Sequence, residues 1–205
     1  VVEKERVTFL LEMPLFYHDL LEGVGFANID CIREHLRLCI TGGAAFPPSW
    51  NENFKSIFGV PILPGYVASG STTCISLSME RDGYVRGKVG RPIPGVTVEI
   101  RAEDGAALPL GEEGEIFVAS PGIMKGYLNN PSAAAKVLID GWYRTGDRGL
   151  IDSDGQLAVS GRLDDKIMSG YNRIDPSVIE DILLSHPDIS LAAAVGVPDA
   201  AMGHR

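Results

Sequence analysis

Between residues 70 and 160, glycine and proline recur at short intervals, and that punctuation limits what the chain can fold into. The run Gly90-Arg91-Pro92-Ile93-Pro94-Gly95 is the densest case. Proline removes a backbone donor and glycine loses more conformational freedom than any other residue, so long helices do not survive such spacing. The stretches between the breaks are of β type: Val96 to Arg101, Glu115 to Ala119, Gly149 to Ile151 and Gln156 to Ser160. Asp104-Gly105 and Asp154-Gly155 are hairpin-turn dipeptides. The pattern predicts an antiparallel β region, built as a small barrel-like unit, with one helical insert near Ser132 to Leu138.

The flanks have another texture. Over residues 1–66, strand-like and helix-like runs alternate. Val7 to Leu11 reads as a strand, Pro14 to Leu21 as a helix opened by proline, and Leu36 to Thr41 as a second strand. Pro48 to Phe58 reads as a helix that Gly59 ends, and Val60 to Leu63 as a third strand. This alternation predicts an α/β sheet. After residue 161 a strand at Ile167, a helix from Pro176 to Ser185 and a strand from Leu191 to Val197 predict a further β-α-β module. The helix carries Val178, Ile179, Ile182 and Leu183 on one face. The fold class expected is therefore α/β plus β, divided as 1–66, 67–163 and 164–205.

Composition excludes some functions. Hydrophobic residues make up 45% and charged residues 22%, which argues against disorder. The formal net charge is −9 and there is no basic cluster, so a nucleic-acid backbone is not expected as partner. A single bound nucleotide needs only local donors and remains open. The longest apolar runs, such as Ile189 to Val195, fall far short of the roughly 18 residues of a membrane span, and no leader-like segment is seen. Cys31, Cys39 and Cys74 are odd in number and widely spaced, fitting neither a disulfide framework nor a zinc site. A cytoplasmic protein is expected. A start at Val1 and a stop after a strand-like run suggest a piece of a longer chain.

Four constellations could carry chemistry. Thr41-Gly42-Gly43-Ala44-Ala45-Phe46-Pro47 joins a strand to a helix, and its small residues let a flat ligand approach the backbone at a sheet edge. A tight connection alone would also explain it, and it lacks the lysine of a phosphate-binding P-loop. Gly65-Tyr66-Val67-Ala68-Ser69-Gly70-Ser71-Thr72-Thr73 offers a ring for stacking and several hydroxyls, or is an ordinary polar loop. In Tyr143-Arg144-Thr145-Gly146-Asp147 a carboxylate beside glycine suits a vicinal diol, or caps a turn. In Gly161-Arg162-Leu163-Asp164-Asp165 the arginine could pair with Asp147, with a ligand, or with Asp164.

Taken together and in this order, these motifs are specific. With Val89-Gly90-Arg91-Pro92, Gly114-Glu115-Ile116, Gly126-Tyr127 and Arg173-Ile174-Asp175-Pro176, the chain resembles the adenylate-forming superfamily of acyl-CoA synthetases, peptide-synthetase adenylation domains and luciferases. The resemblance runs through nearly all of the chain, and Tyr-Arg-Thr-Gly-Asp is its most specific string. It implies the end of an α/β large AMP-binding domain, its β-rich subdomain, and the start of a small C-terminal domain. Gly43, Ala44 and Ala45 match the turn lining the adenine pocket, and Tyr66 the ring that stacks on adenine. Ser69 matches a hydroxyl at the α-phosphate, Asp147 the carboxylate that holds the ribose hydroxyls, and Arg162 an arginine supporting ribose and phosphate. Asp164 matches the hinge about which the small domain rotates. The implied activity is that of an AMP-forming acid–thiol ligase. ATP with Mg2+ activates a small-molecule carboxylate as acyl-AMP, which is passed to a thiol, commonly CoA, as in fatty acid metabolism.

Three departures bear on that activity. Gly70 stands where relatives carry a Glu that helps bind magnesium, so no metal ligand is assigned and Gly70→Glu is expected to raise adenylation in the full-length parent. Met168 and Tyr171 stand where many relatives have Lys and Gly, the latter linked to thiol access. The superfamily's Ser/Thr/Gly-rich phosphate loop and its C-terminal lysine have no counterpart in these residues. The 205 residues alone are expected to be inactive. The alternative is a degenerate, non-catalytic adenine-nucleotide-binding homologue.

Overall fold

The structure, a computed structural model, describes residues 1–205 apart from residues 27, 45, 72, 73, 164, 166, 170, 171, 187, 190, 200–202 and 205. Three sheets follow one another along the chain. The first contains β1 (Phe9–Glu12), β2 (Leu38–Thr41), β3 (Ile62–Tyr66), β4 (Ser76–Leu77) and β5 (Arg91–Pro92), in that spatial order. Strands β1, β2 and β3 are parallel, and β4 and β5 then add antiparallel. The sheet thus continues past Tyr66 into the Gly/Pro-rich stretch.

Helices α1 (Pro14–Glu22), α2 (Ile29–His35) and α3 (Pro48–Phe58) connect the parallel strands. Helix α3 starts with proline in its first turn, where the missing N–H has no intrahelical partner anyway, and ends on the left-handed Gly59. It buries Asn51, Phe54 and Phe58, spaced three and four residues apart on one face. The Asn51 Oδ1 accepts from the Ile62 N–H at 2.7 Å, so the helix fixes the first residue of β3. Tyr17 of α1 stacks edge-on against Phe54, with ring centroids 5.4 Å apart. Its hydroxyl donates to the Ile40 carbonyl at 2.7 Å. These contacts seat both helices on the sheet in one core with Leu10, Cys39 and Ile62.

The second sheet is antiparallel, in the order β10 (Leu157–Arg162), β9 (Trp142–Ile151), β7 (Gly114–Ala119), β6 (Thr97–Arg101). The short β8 (Leu138–Ile139), which follows α4 (Pro131–Val137), also pairs with β9. The sheet is open rather than a closed barrel, because β10 and β6 are its edges. The edge at β10 is met by residues 87–90: Val89 N–H donates to the Leu157 carbonyl at 2.9 Å, and Leu157 N–H to the Gly90 carbonyl at 2.7 Å. A second core of Ile75, Val98, Ile100, Ile116, Val118 and Leu157 fills its concave side. Tyr66, the last residue of β3, packs into this second core and so joins the two sheets.

The third sheet is small, ordered β12 (Asn172–Ile174), β11 (Ile167–Ser169), β14 (Gly203–His204), β13 (Pro198–Asp199). Helix α5 (Pro176–Leu184) follows β12 and leaves Val178 and Ile182 exposed. The strand expected from Leu191 to Val197 does not form among the described residues of that stretch. There the Ala194 N–H is taken by the Glu180 carboxylate at 3.1 Å instead of by a ladder partner. No helix among the described residues is long and apolar enough to cross a membrane.

Candidate functional site

A cleft of about 1090 Å³ opens where the first and second sheets meet. Its wall brings together Gly43, Ala44, Tyr66, Ser69, Asp147 and Arg162, which are scattered over the chain. Ala45, the hinge position Asp164, Tyr171 and Thr72-Thr73 lie outside the described residues, as does the side chain of Met168.

The strand β9 places the acid. Between the pairs Glu115↔Arg148 and Phe117↔Arg144, β7 advances two residues while β9 advances four. Residues 145–147 therefore bulge from the ladder, and Gly146 adopts a φ of +77° that a side-chain-bearing residue would resist. The bulge is tied down by Thr145, whose buried hydroxyl donates to the Ile116 carbonyl at 2.8 Å and accepts from the Asp147 N–H at 3.0 Å. Asp147 is held in the cleft wall from both flanks. The Tyr66 hydroxyl donates to its Oδ2, and Arg162 Nη1 lies 3.5 Å from its Oδ1. Burial first, and then the bond to Asp147, raises the Tyr66 phenol far above its ordinary value. Tyr66 therefore stays protonated and remains a donor at neutral pH. It is only 7% exposed, so a ligand meets a rim of its ring.

A carboxylate oxygen accepts more than one hydrogen bond, and Asp147 already has Tyr66 on one oxygen and Arg162 near the other. That arrangement fixes its orientation in the cleft wall. Other wall residues escaped the sequence reading. Glu115 accepts from Arg144 Nε with both oxygens at 2.8 Å, and this bond raises the Arg144 pKa. Lys88 sits 2.7 Å from Asp152. Glu115 and Arg144 stood inside strings already singled out, whereas nothing local marked Lys88, Tyr84 or Glu180 as wall residues.

Position 70 is packed against Tyr143. Gly70 is buried, and a Cβ added there would lie 2.3 Å from Cζ and 2.4 Å from Cε2 of Tyr143. The space a glutamate would enter is filled by that ring, so Gly70→Glu cannot restore a ligand without displacing it. No group of three His, Cys, Asp or Glu side chains among the described residues could hold a metal ion. Gly70 itself brings no side-chain donor to this wall.

An α/β sheet edge joined to a curled antiparallel sheet, with an acid–phenol–guanidinium cleft between them, is the fold of the adenylate-forming type. A family model described as AMP-binding enzyme matches residues 1–128, and the chain belongs to that family. It is 34% identical over 205 residues to the feruloyl-CoA synthase of an Amycolatopsis species, an alignment covering 98% of this chain and 41% of that protein. The crystal structure of ATP-bound MatB from Rhodopseudomonas palustris superposes with a TM-score of 0.87 at 29% identity, covering 99% of this chain and 40% of that one. The apo form of the same protein gives 0.78 at 30% identity, with the same coverage of 99% and 40%. The chain thus spans about 40% of the length of the relatives it matches.

Proposed function

We propose that this chain carries the adenosine half of the active site of an ATP-dependent acyl-CoA synthetase-like ligase. The observation that supports this reading is the meeting of Tyr66, Asp147 and Arg162 in one cleft with the Gly43–Ala44 turn. In the proposed complex the adenine lies along the turn and the Tyr66 rim. Asp147 accepts from the ribose hydroxyls, Arg162 supports ribose and phosphate, and Ser69 faces the α-phosphate. Residues 1–66 and 67–163 are read as parts of the large domain, residues 164–205 as the start of the small one, and Asp164 as the hinge.

The proposed reaction has two steps. A carboxylate oxygen attacks the α-phosphorus of ATP, and pyrophosphate leaves. A thiolate then attacks the acyl carbonyl, and AMP leaves. Gly70 would contribute no carboxylate to a magnesium ion bound with the phosphates of ATP. The name of the Amycolatopsis relative supports CoA as the thiol and an organic acid as the carboxylate. Three free thiols, at Cys31, Cys39 and Cys74, suit a reducing cytoplasm.

The second reading, a nucleotide-binding homologue without catalysis, is favoured by one feature. The carboxylate position used for the metal is closed by Tyr143. Two measurements on the 205-residue chain test the proposal. AMP titration should saturate, and carboxylate-dependent ATP–pyrophosphate exchange should stay at background, because phosphate loop and acyl-contacting lysine are not among these residues. Absence of AMP binding would refute the nucleotide reading, and robust exchange would refute the incomplete-site reading.

A further inference from the structure

The residue after Asp147 does different work. Arg148 continues β9, but its guanidinium leaves the cleft wall and forms an ion pair with Asp175, which joins β12 to α5. Asp175 thus lies in the third sheet's unit, beyond residues 163–166 that link it to β10. Both side chains are largely withdrawn from water, Arg148 being 12% exposed and Asp175 17%. The Asp175 carboxylate also lies over Gly161 of β10, where an added Cβ would sit 3.5 Å from Oδ1. Glu113 approaches Arg148 from the sheet's own side, its Oε2 3.3 Å from Nε, but that Nε has no aligned hydrogen-bond partner. Glu113 therefore does not hold Arg148 through a hydrogen bond at Nε.

We propose that Arg148 and Asp175 form a clasp that holds the unit starting at Ile167 against the antiparallel sheet in its present orientation. The physical ground is asymmetry. A largely buried charge stranded by loss of its partner is more unfavourable than the intact pair is favourable, so removing either partner alone should loosen the unit. Because Arg148 is the chain neighbour of Asp147, the strand that carries the cleft's carboxylate also carries the clasp.

The test reads position, not activity. Spin labels go on Leu110→Cys, in the β6–β7 connection, and Leu191→Cys, both well exposed, with Cys31 and Cys74 replaced by serine and the fully buried Cys39 retained. Dipolar EPR distances are recorded without nucleotide, so that failure of the clasp and failure of the nucleotide reading are separate results. One dominant distance is expected in the parent. Asp175→Asn and Arg148→Met should each raise the population at other distances by roughly tenfold or more, and the double variant should exceed neither. Asp175→Glu and Glu113→Gln should keep the parent distribution, the first because it retains the charge and the second because it leaves the cross-unit pair intact. Should Arg148→Met not fold, Asp175→Asn, nearly isosteric, decides alone. An unchanged distribution in Asp175→Asn, additive effects of the two substitutions, or equal broadening by Glu113→Gln would overturn the clasp.

Discussion

Replacing Gly70 by alanine puts a methyl group where the hydroxyl end of the Tyr143 ring now lies. The added carbon would be 2.3, 2.4 and 2.8 Å from Cζ, Cε2 and Cε1. Relaxed carbon contacts fall near 3.5–4.0 Å, so ring or loop must yield by about 1 Å. Tyr143 is 6% exposed and sits on β9 between Val118 of β7 and Leu138 of β8, which leaves it little room to turn. Overpacking of this kind costs ~1–3 kcal/mol, which corresponds to a Tm drop of about 4–8 °C for a loss near 2 kcal/mol in a chain of this size. Gly70→Glu should be worse, since it adds a carboxylate to the same buried space, and it should not gain adenylation in a longer protein. Urea unfolding of Gly70→Ala, alone and with Tyr143→Ala, isolates the cause. The alanine penalty should fall below ~0.5 kcal/mol once the ring is gone. A penalty absent in the first variant, or undiminished in the second background, would refute the steric argument.

Two further outcomes follow from local contacts. Thr145→Val removes the hydroxyl that serves the Ile116 carbonyl and the Asp147 N–H, so unfolding free energy should drop by ~1–3 kcal/mol and AMP affinity should fall with it. Asp82 accepts from Arg91 at 2.8 Å, and that bond, with the Met79 N–H, holds its carboxyl below the usual range. The lowered folded value means this stabilisation is complete above the unfolded pKa of about 3.9 and is lost as pH falls through the folded one. Urea midpoints of Asp82→Asn should therefore lie below the parent at neutral pH and converge with it in acid.

How much of this was readable from the chain depends on where the cause resides. Helix α3 was legible to the residue, because Pro48 and Gly59 are local stop signs. Helix α2 was missed, although Asn28 caps it by accepting from the Cys31 N–H at 3.1 Å. Its seven residues carry no run of apolar spacing to draw attention. Strand β9 was expected only from Gly149, since Gly146 reads as a break, whereas the fold uses it as a bulge inside one continuous strand. The strand expected at Leu191–Val197 failed for a non-local reason: β character needs a neighbouring ladder, and Glu180 takes the Ala194 N–H instead. The cleft residues came from a resemblance rather than from spacing, and their convergence is a property of the two sheets. The closing of position 70 by Tyr143 joins residues 73 positions apart, and no local pattern encodes it.

The central claim is that Asp147 recognises a ribose diol in a cleft shaped for adenosine. Its most direct test is calorimetric titration of AMP and of 2′,3′-dideoxy-AMP into the chain and into Asp147→Ala. The account predicts that the parent prefers AMP by about tenfold or more, the range for hydrogen bonds to a charged group, and that Asp147→Ala binds the two alike. Equal affinity of the parent for both nucleotides, or a preference for AMP that survives the loss of Asp147, would contradict it.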